Sequence, residues 1–157
     1  MSSRSERGFS LIEILVVITI LAVVVTIIII SLSKLNSSQA LDKGASLVVS
    51  VLDQARSLTL SAKDDSQYGV HFEDSGVVLF KGSVYSSSDP LNISTSIDGR
   101  VGIRNVSLAG GGSDVVFKRL TGSTDQAGTL ELFLKASPTT IRTINVTITG
   151  VASMNTP

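Results

Sequence analysis

The stretch from Phe9 to Ile30, FSLIEILVVITILAVVVTIIII, runs for 22 residues with a single charge, the carboxylate of Glu13. Wound as a helix it rises about 33 Å, enough to cross a hydrocarbon layer about 30 Å thick. A carboxylate inside such a span costs about 2.5–3.5 kcal/mol at the centre and less near an end, which makes an intramembrane acid a functional position by default. A local explanation stands beside that one. Ser10 and Glu13 fit a capping box, S-x-x-E, in which the two side chains satisfy free amides of the first turn. The positive end of the helix dipole also favours a first-turn carboxylate, by about 0.3–1 kcal/mol.

The residues ahead of the span, MSSRSERG, are short and polar, with Arg4 and Arg7 before the apolar run and Lys34 close behind it. A secretory signal would have a shorter apolar stretch and a small-residue cleavage site after it, whereas this run ends in Ile-Ile-Ile-Ile-Ser-Leu-Ser-Lys. The excess of arginine before the span places the N-terminus in the cytoplasm and residues 31–157 outside.

Arg7-Gly8-Phe9-Ser10-Leu11-Ile12-Glu13-Ile14-Leu15-Val16-Val17 closely resembles the class III leader of type IV pilins and of the pseudopilins of type II secretion. The resemblance implies that a membrane-embedded prepilin peptidase cuts between Gly8 and Phe9 and methylates the new amino terminus on Phe9. It implies further that Glu13, then the fifth residue, pairs with the amine of a neighbouring subunit during assembly. Burying the two charges together avoids leaving either unpaired, the arrangement that is strongly destabilising. The chain departs from many type IV pilins in having no proline between Met1 and Asn36, so nothing in the sequence forces a kink there.

Beyond the span about 127 residues remain, enough for one modest domain with a single core. The 13 basic and 13 acidic residues balance, and loss of the leader leaves 11 against 12, so net charge gives no bias toward polyanions. Cysteine is absent, which excludes disulfides, thiolate metal sites and cysteine nucleophiles from a domain expected in an oxidising compartment.

From Leu41 the pattern becomes amphipathic. Leu41, Ala45, Val48, Leu52, Ala55, Thr59 and Ala62 recur at spacings of four and three, while Asp42, Ser46, Ser50, Asp53, Ser57 and Ser61 fall on the other side. No proline interrupts residues 9–64, which predicts one helix through the span and into the domain, loosened at Asn36-Ser37-Ser38 and Gly44 and ended by Asp64-Asp65-Ser66. After residue 67 the runs are strand-like, with turns of Gly, Asp and Ser. Three hairpins are expected: Tyr68–Phe72 with Val77–Phe80, Val101–Leu108 with Val115–Leu120 across Ala109-Gly110-Gly111-Gly112, and Thr129–Leu134 with Ile141–Thr149. Residues 83–99 read as a long loop with at most one irregular strand.

The expected class is therefore α+β, a long N-terminal helix packed on an antiparallel β domain. Its parts are a leader at 1–8, a transmembrane or filament-core helix at 9–30, an amphipathic helix at 31–64 and the β domain at 65–157. This layout is similar to the pilin fold. Gln54-Ala55-Arg56-Ser57, Val116-Phe117 through Gly122, Gly128-Thr129-Leu130 and Ile144-Asn145-Val146-Thr147-Ile148-Thr149-Gly150 narrow the likeness toward minor pilins and pseudopilins of the GspH/FimT type.

Little in the chain suggests catalysis. His71, the one histidine, lies in an expected strand beside Val70 and Phe72, where a surface or satisfied sheet histidine is the ordinary reading. Asp64-Asp65 and Glu73-Asp74 fall at a helix end and a turn, where carboxylates serve local structure. No calcium-loop pattern is present, Gly110-Gly111-Gly112 lacks the context of a phosphate loop, and neither a metal nor a cofactor is expected. Arg100, Arg104, Lys118, Arg119 and Arg142 are the candidate nucleic-acid contacts, because some minor pilins of the resembling type bind DNA; solvated surface charge is the competing reading.

The resemblance implies a structural subunit and not an enzyme. Its partners would be prepilin peptidase, other pilin or pseudopilin subunits, and membrane lipid before assembly. It would be held in a bacterial cytoplasmic membrane and then pass into a periplasmic or cell-surface filament. A ligand- or DNA-binding minor pilin and a simple single-pass anchored domain are the alternatives.

Overall fold

The computed structural model describes residues 10–155. Helix α1 covers Leu11–Leu60, and the chain divides into two compact units, residues 1–36 and 37–157. Over Leu11–Ile29 α1 carries apolar side chains on every side, with Glu13 the one charge. Two threonine hydroxyls in this segment bond back to the helix: Thr19 Oγ1 donates to the Leu15 carbonyl and Thr26 Oγ1 to the Ala22 carbonyl, each at 2.8 Å. That i→i−4 arrangement lets a threonine sit in an apolar helix without an unsatisfied donor.

In the second unit α1 buries the stripe read from the sequence. Leu41, Ala45, Val48, Leu52, Ala55 and Thr59 are fully buried. Five of them join one core with Val70, Phe72, Val77 and Leu79 from one sheet and Val101, Ile103, Leu130, Leu132 and Ile144 from the other. At about 1.5–3 kcal/mol for each large aliphatic side chain taken out of water, this stripe does more to hold the helix than its intrinsic propensity. Helix and sheet come close at Gly44, where an added Cβ would meet the Leu132 and Val101 side chains at 3.4 and 3.6 Å, ordinary packing distances.

The helix stops at Leu60, four residues before the expected end, and a 3-10 turn covers Lys63–Asp65. Ala62 adopts a left-handed φ of 49°, and its amide returns to the Thr59 carbonyl. What turns the chain back is the buried Thr59 hydroxyl, which donates to the Ala55 carbonyl at 2.9 Å and accepts the Tyr68 amide at 3.0 Å. Thr59→Val keeps the shape and strands that amide. We expect it to lower unfolding stability by about 1–3 kcal/mol, read from the denaturant midpoint.

The strands form two four-stranded antiparallel sheets. The first has β1 (Tyr68–Glu73), β2 (Gly76–Lys81), β3 (Ile93–Ser96) and β5 (Asp114–Val116) in the order β3-β2-β1-β5. The second has β4 (Val101–Leu108), β6 (Gly128–Leu134), β7 (Ser137–Val146) and β8 (Ala152–Asn155) in the order β4-β6-β7-β8. On β2 both faces are covered. Val77 and Leu79 face the main core, while Val78 and Phe80 are buried on the other side, where Tyr85 meets the Phe80 ring at 5.5 Å.

The β1–β2 and β6–β7 hairpins form as expected, and β3 is the one strand in the long loop. The pairing of Val101–Leu108 with Val115–Leu120 is not formed. β4 pairs with β6, β5 pairs with β1, and the triple glycine carries the chain from one sheet to the other. A glycine-rich turn between two apolar runs marks a reversal, but not which sheet edge receives the next strand. β7 also ends at Val146, three residues early, because the Thr147 hydroxyl closes a turn on Val151 and Gly150 takes φ +78°. The chain then returns as β8, a strand the sequence reading missed.

Candidate functional site

The first candidate is the apolar segment Leu11–Ile29, 19 residues with a mean hydropathy of 3.2 and none of it buried. Glu13 is its only charged residue. The helix begins through its backbone, with the Ser10 carbonyl accepting the amides of Glu13 at 3.0 Å and Ile14 at 3.3 Å. The expected capping box is not formed. Among the described residues neither the Ser10 hydroxyl nor the Glu13 carboxylate makes a hydrogen bond or ion pair, since the backbone carbonyl has already taken the amide that the hydroxyl would have accepted. Glu13 therefore stands as an unpaired acid on an apolar helix. Gly8 and Phe9, the expected cleavage point and methylation site, lie outside the described residues.

The second candidate set, the five cations, is dispersed and neutralised. Arg100 grips Asp98 with two hydrogen bonds of 2.9 Å. Arg104 meets Glu131 at 3.2 Å and lies over the Phe133 ring at 4.6 Å. Lys118 reaches Asp125 at 2.6 Å, Arg119 bonds the carboxylate of Asp65, and Arg142 reaches Asp42 of α1 at 2.8 Å. Register explains part of the dispersal. Arg104 is opposite Glu131, which is opposite Thr143, so Arg104 stands on one face of the second sheet and Arg142, the neighbour of Thr143, on the other. The Arg104–Phe133 contact has a packing role, because Phe133 lies over Gly102, where a Cβ would come within 2.8 Å of the ring.

The Arg100–Asp98 pair gives a pH signature. Hydrogen bonds from the Arg100 side chain, then from its backbone amide, hold the Asp98 carboxyl well below the usual carboxylate range. Asp64 is lowered in the same sense by the Tyr68 hydroxyl and then by Lys81. Because the folded state prefers the charged form, the contribution is present above the ordinary value of 3.8 and is lost as pH falls through the folded value. We expect the stability difference between the wild-type protein and Asp98→Asn to be constant at neutral pH and to shrink progressively below about pH 4, measured by denaturant unfolding across that range.

His71 is a satisfied sheet histidine. Its Nδ1 lies 2.5 Å from Asp114 on β5, and Tyr85 stacks on its ring at 3.9 Å. Among the described residues no group of three or more His, Asp or Glu side chains is placed to hold a metal.

The structure does unite segments that lie far apart in the sequence. Arg56 Nε donates to the Gly122 carbonyl at 3.1 Å, the Thr124 amide to the Ile148 carbonyl at 3.1 Å, and Gly150 lies against Gly122 so closely that a Cβ would sit 1.9 Å from its oxygen. Three of the segments that suggested the narrower likeness, around Arg56, Gly122 and Gly150, thus meet at one end of the β domain. The glycines were the signal in the sequence; their contact was not legible there.

Residues 3–29 match the model of the prokaryotic N-terminal methylation motif. The fold is shared with the type IV minor pilin FimU of Pseudomonas aeruginosa, at a TM-score of 0.57 and 13% identity over 74% of this chain and 93% of that one. It is shared also with the minor pseudopilin EpsH of the type 2 secretion system of Vibrio cholerae, at 0.54 and 12% identity over 74% of this chain and 97% of that one. No curated protein matches the sequence.

Proposed function

We propose that this chain, which the N-terminal methylation motif and the fold match to the type IV pilin and pseudopilin family, is a structural subunit of a type IV pilus or type II secretion filament. The observation that carries the reading is the conjunction at the N-terminus, where the motif over residues 3–29 coincides with an apolar helix whose single charge is the unpaired Glu13. In this reading prepilin peptidase cleaves between Gly8 and Phe9 and Phe9 is methylated. The helix is held in the cytoplasmic membrane with its N-terminus inside, then exchanges lipid for neighbouring subunits. Glu13 meets the amine of the adjoining chain, and the β domain faces outward.

The mature N-terminus tests this most directly. We expect mass spectrometry of the protein recovered from membranes to find a chain beginning at methylated Phe9. A chain that keeps residues 1–8 would be an ordinary anchor and would overturn the proposal. The alternative of a nucleic-acid-binding module draws no support from the five candidate cations, each of which already has a carboxylate partner.

A further inference from the structure

The first sheet reaches beyond the part of α1 that covers it. β3 is its edge strand, and Ile93 lies opposite Leu79 in the β2–β3 register. Leu79 is buried in the core, whereas Ile93 is 56% exposed and Leu91, just before β3, is 60% exposed. Between this edge and Leu58 of α1 a cleft of about 220 Å³ opens. Leu58, Leu79, Leu91 and Ile93 give it an apolar lining, which Lys63, Asp64, Tyr68 and Lys81 complete.

The polar residues form one group. The Tyr68 hydroxyl donates to Asp64 Oδ2 at 3.0 Å, and Lys81 Nζ lies 3.5 Å from the same oxygen. Tyr68 is opposite Lys81, and Lys81 follows Leu79 by two residues on β2, so the group stands at one end of the apolar lining. Asp64 is held in its charged form by the Tyr68 hydroxyl and then by Lys81. Lys63 forms no ion pair among the described residues. Two lysines therefore face one carboxylate, and a positive charge is left over. Lys81 also keeps donors free, since an ammonium has three and a contact of 3.5 Å is longer than a normal hydrogen bond. The turn that brings Lys63 and Asp64 here is strained: Ala62, Asp64 and Asp65 have φ of 49°, 53° and 53°, uncommon outside glycine. Such residues gather at ligand sites, where the surrounding fold holds them in place.

We propose that this cleft binds a short-chain fatty-acid anion, with its carboxylate at Lys63 and Lys81 and its chain along Leu58, Leu79, Leu91 and Ile93. An apolar cleft with a few converging polar groups is the ordinary form of a small-molecule site. Its size limits the chain. Sites for drug-sized ligands measure about 300–1,000 Å³, and a cleft of about 220 Å³ takes a shorter occupant. The lysines fix the sign of the head group, because an ammonium would meet two like charges and an uncharged head would leave Lys63 unpaired. Asp64 opposes a second carboxylate only weakly, since Tyr68 and Lys81 already engage it. A filament subunit and a simple anchored domain would carry this site alike, so the proposal stands apart from the filament role.

The test uses full-length protein in lipid nanodiscs and a hexanoate that carries a photoreactive diazirine near its methyl end. Irradiation should label Leu58, Leu91 or Ile93, located by peptide mass spectrometry. Unlabelled hexanoate should compete about tenfold more tightly than butanoate, since each further buried methylene gives about fourfold, and hexylamine should not compete. Lys63 and Lys135 are both exposed, so replacing either spares the fold. Lys63→Gln should weaken labelling about threefold, the size of an exposed charge contact, and Lys135→Gln should leave it unchanged. Leu91→Glu, at another exposed position, should abolish it by setting a like charge beside the chain. Labelling confined to Leu11–Ile29 would mean partition into the bilayer only. Hexylamine competing as well as hexanoate would mean an apolar groove with no preference for an anion. Either result overturns the proposal, and so does undiminished labelling of Lys63→Gln or Leu91→Glu.

Discussion

Glu13→Ala is expected to insert, to be processed and to accumulate in the membrane, and to be lost from filaments by a factor of a hundred or more. The magnitude follows from the charge left behind. Removing one partner of a buried ion pair costs about 3–5 kcal/mol, because the other charge is then buried alone, and each 1.4 kcal/mol is tenfold in an equilibrium. In the membrane the sign is opposite, since the carboxylate is itself the expensive group and alanine lowers the cost of insertion. The two effects separate assembly from anchoring in one variant. Comparison of its amounts in the membrane and sheared-filament fractions checks the prediction. Incorporation at the wild-type level would remove Glu13 from assembly. Glu13→Gln, which keeps a hydrogen-bonding group without the charge, should fall between.

Gly150→Ala is expected to be among the most destabilising single changes in the β domain, by about 3 kcal/mol or more. Two costs coincide there. The left-handed φ of +78° strains any residue with a Cβ, and the added methyl would fall 1.9 Å from the Gly122 carbonyl oxygen, a backbone atom that cannot rotate away. Relief requires moving the Gly122 turn, which is also the acceptor of Arg56. Gly111→Ala is the control. Its φ of +77° is similar, but open space surrounds it, so only the conformational cost of about 1–2 kcal/mol applies. Denaturant unfolding of the two variants should differ accordingly; equal losses would mean that the Gly122–Gly150 contact is not a tight one.

These cases show where the sequence was readable. Leu41, Ala45, Val48, Leu52, Ala55 and Thr59 stood out because a helix repeats every 3.6 residues and one face must be dry, and all six are buried. The next member of that series, Ala62, lies beyond the helix, because the Thr59–Tyr68 bond reverses the chain first. Glu73 to Gly76 was legible as a hairpin turn because a reversal of so few residues leaves its flanking strands no other near partner. Ala109 to Gly112 looked similar and was not, since two sheet edges competed for the following strand and packing chose between them.

The candidate site divides in the same way. Glu13 was evident from contrast with its immediate neighbours. The fate of the cations was not, because Arg142 finds Asp42 and Arg119 finds Asp65 only after the chain has folded. By itself the sequence determined the apolar span, its one acid, the leader-like motif before it, the packed stripe of the helix and the strand-rich remainder. Each of these depends on solvation and sterics acting over a few residues. Only the tertiary structure decided that the strands make two sheets, that the five cations are neutralised, and that Gly122, Gly150 and Arg56 converge at one end of the β domain. Those outcomes are choices among distant partners of nearly equal local energy, and the packing of one shared core settles them.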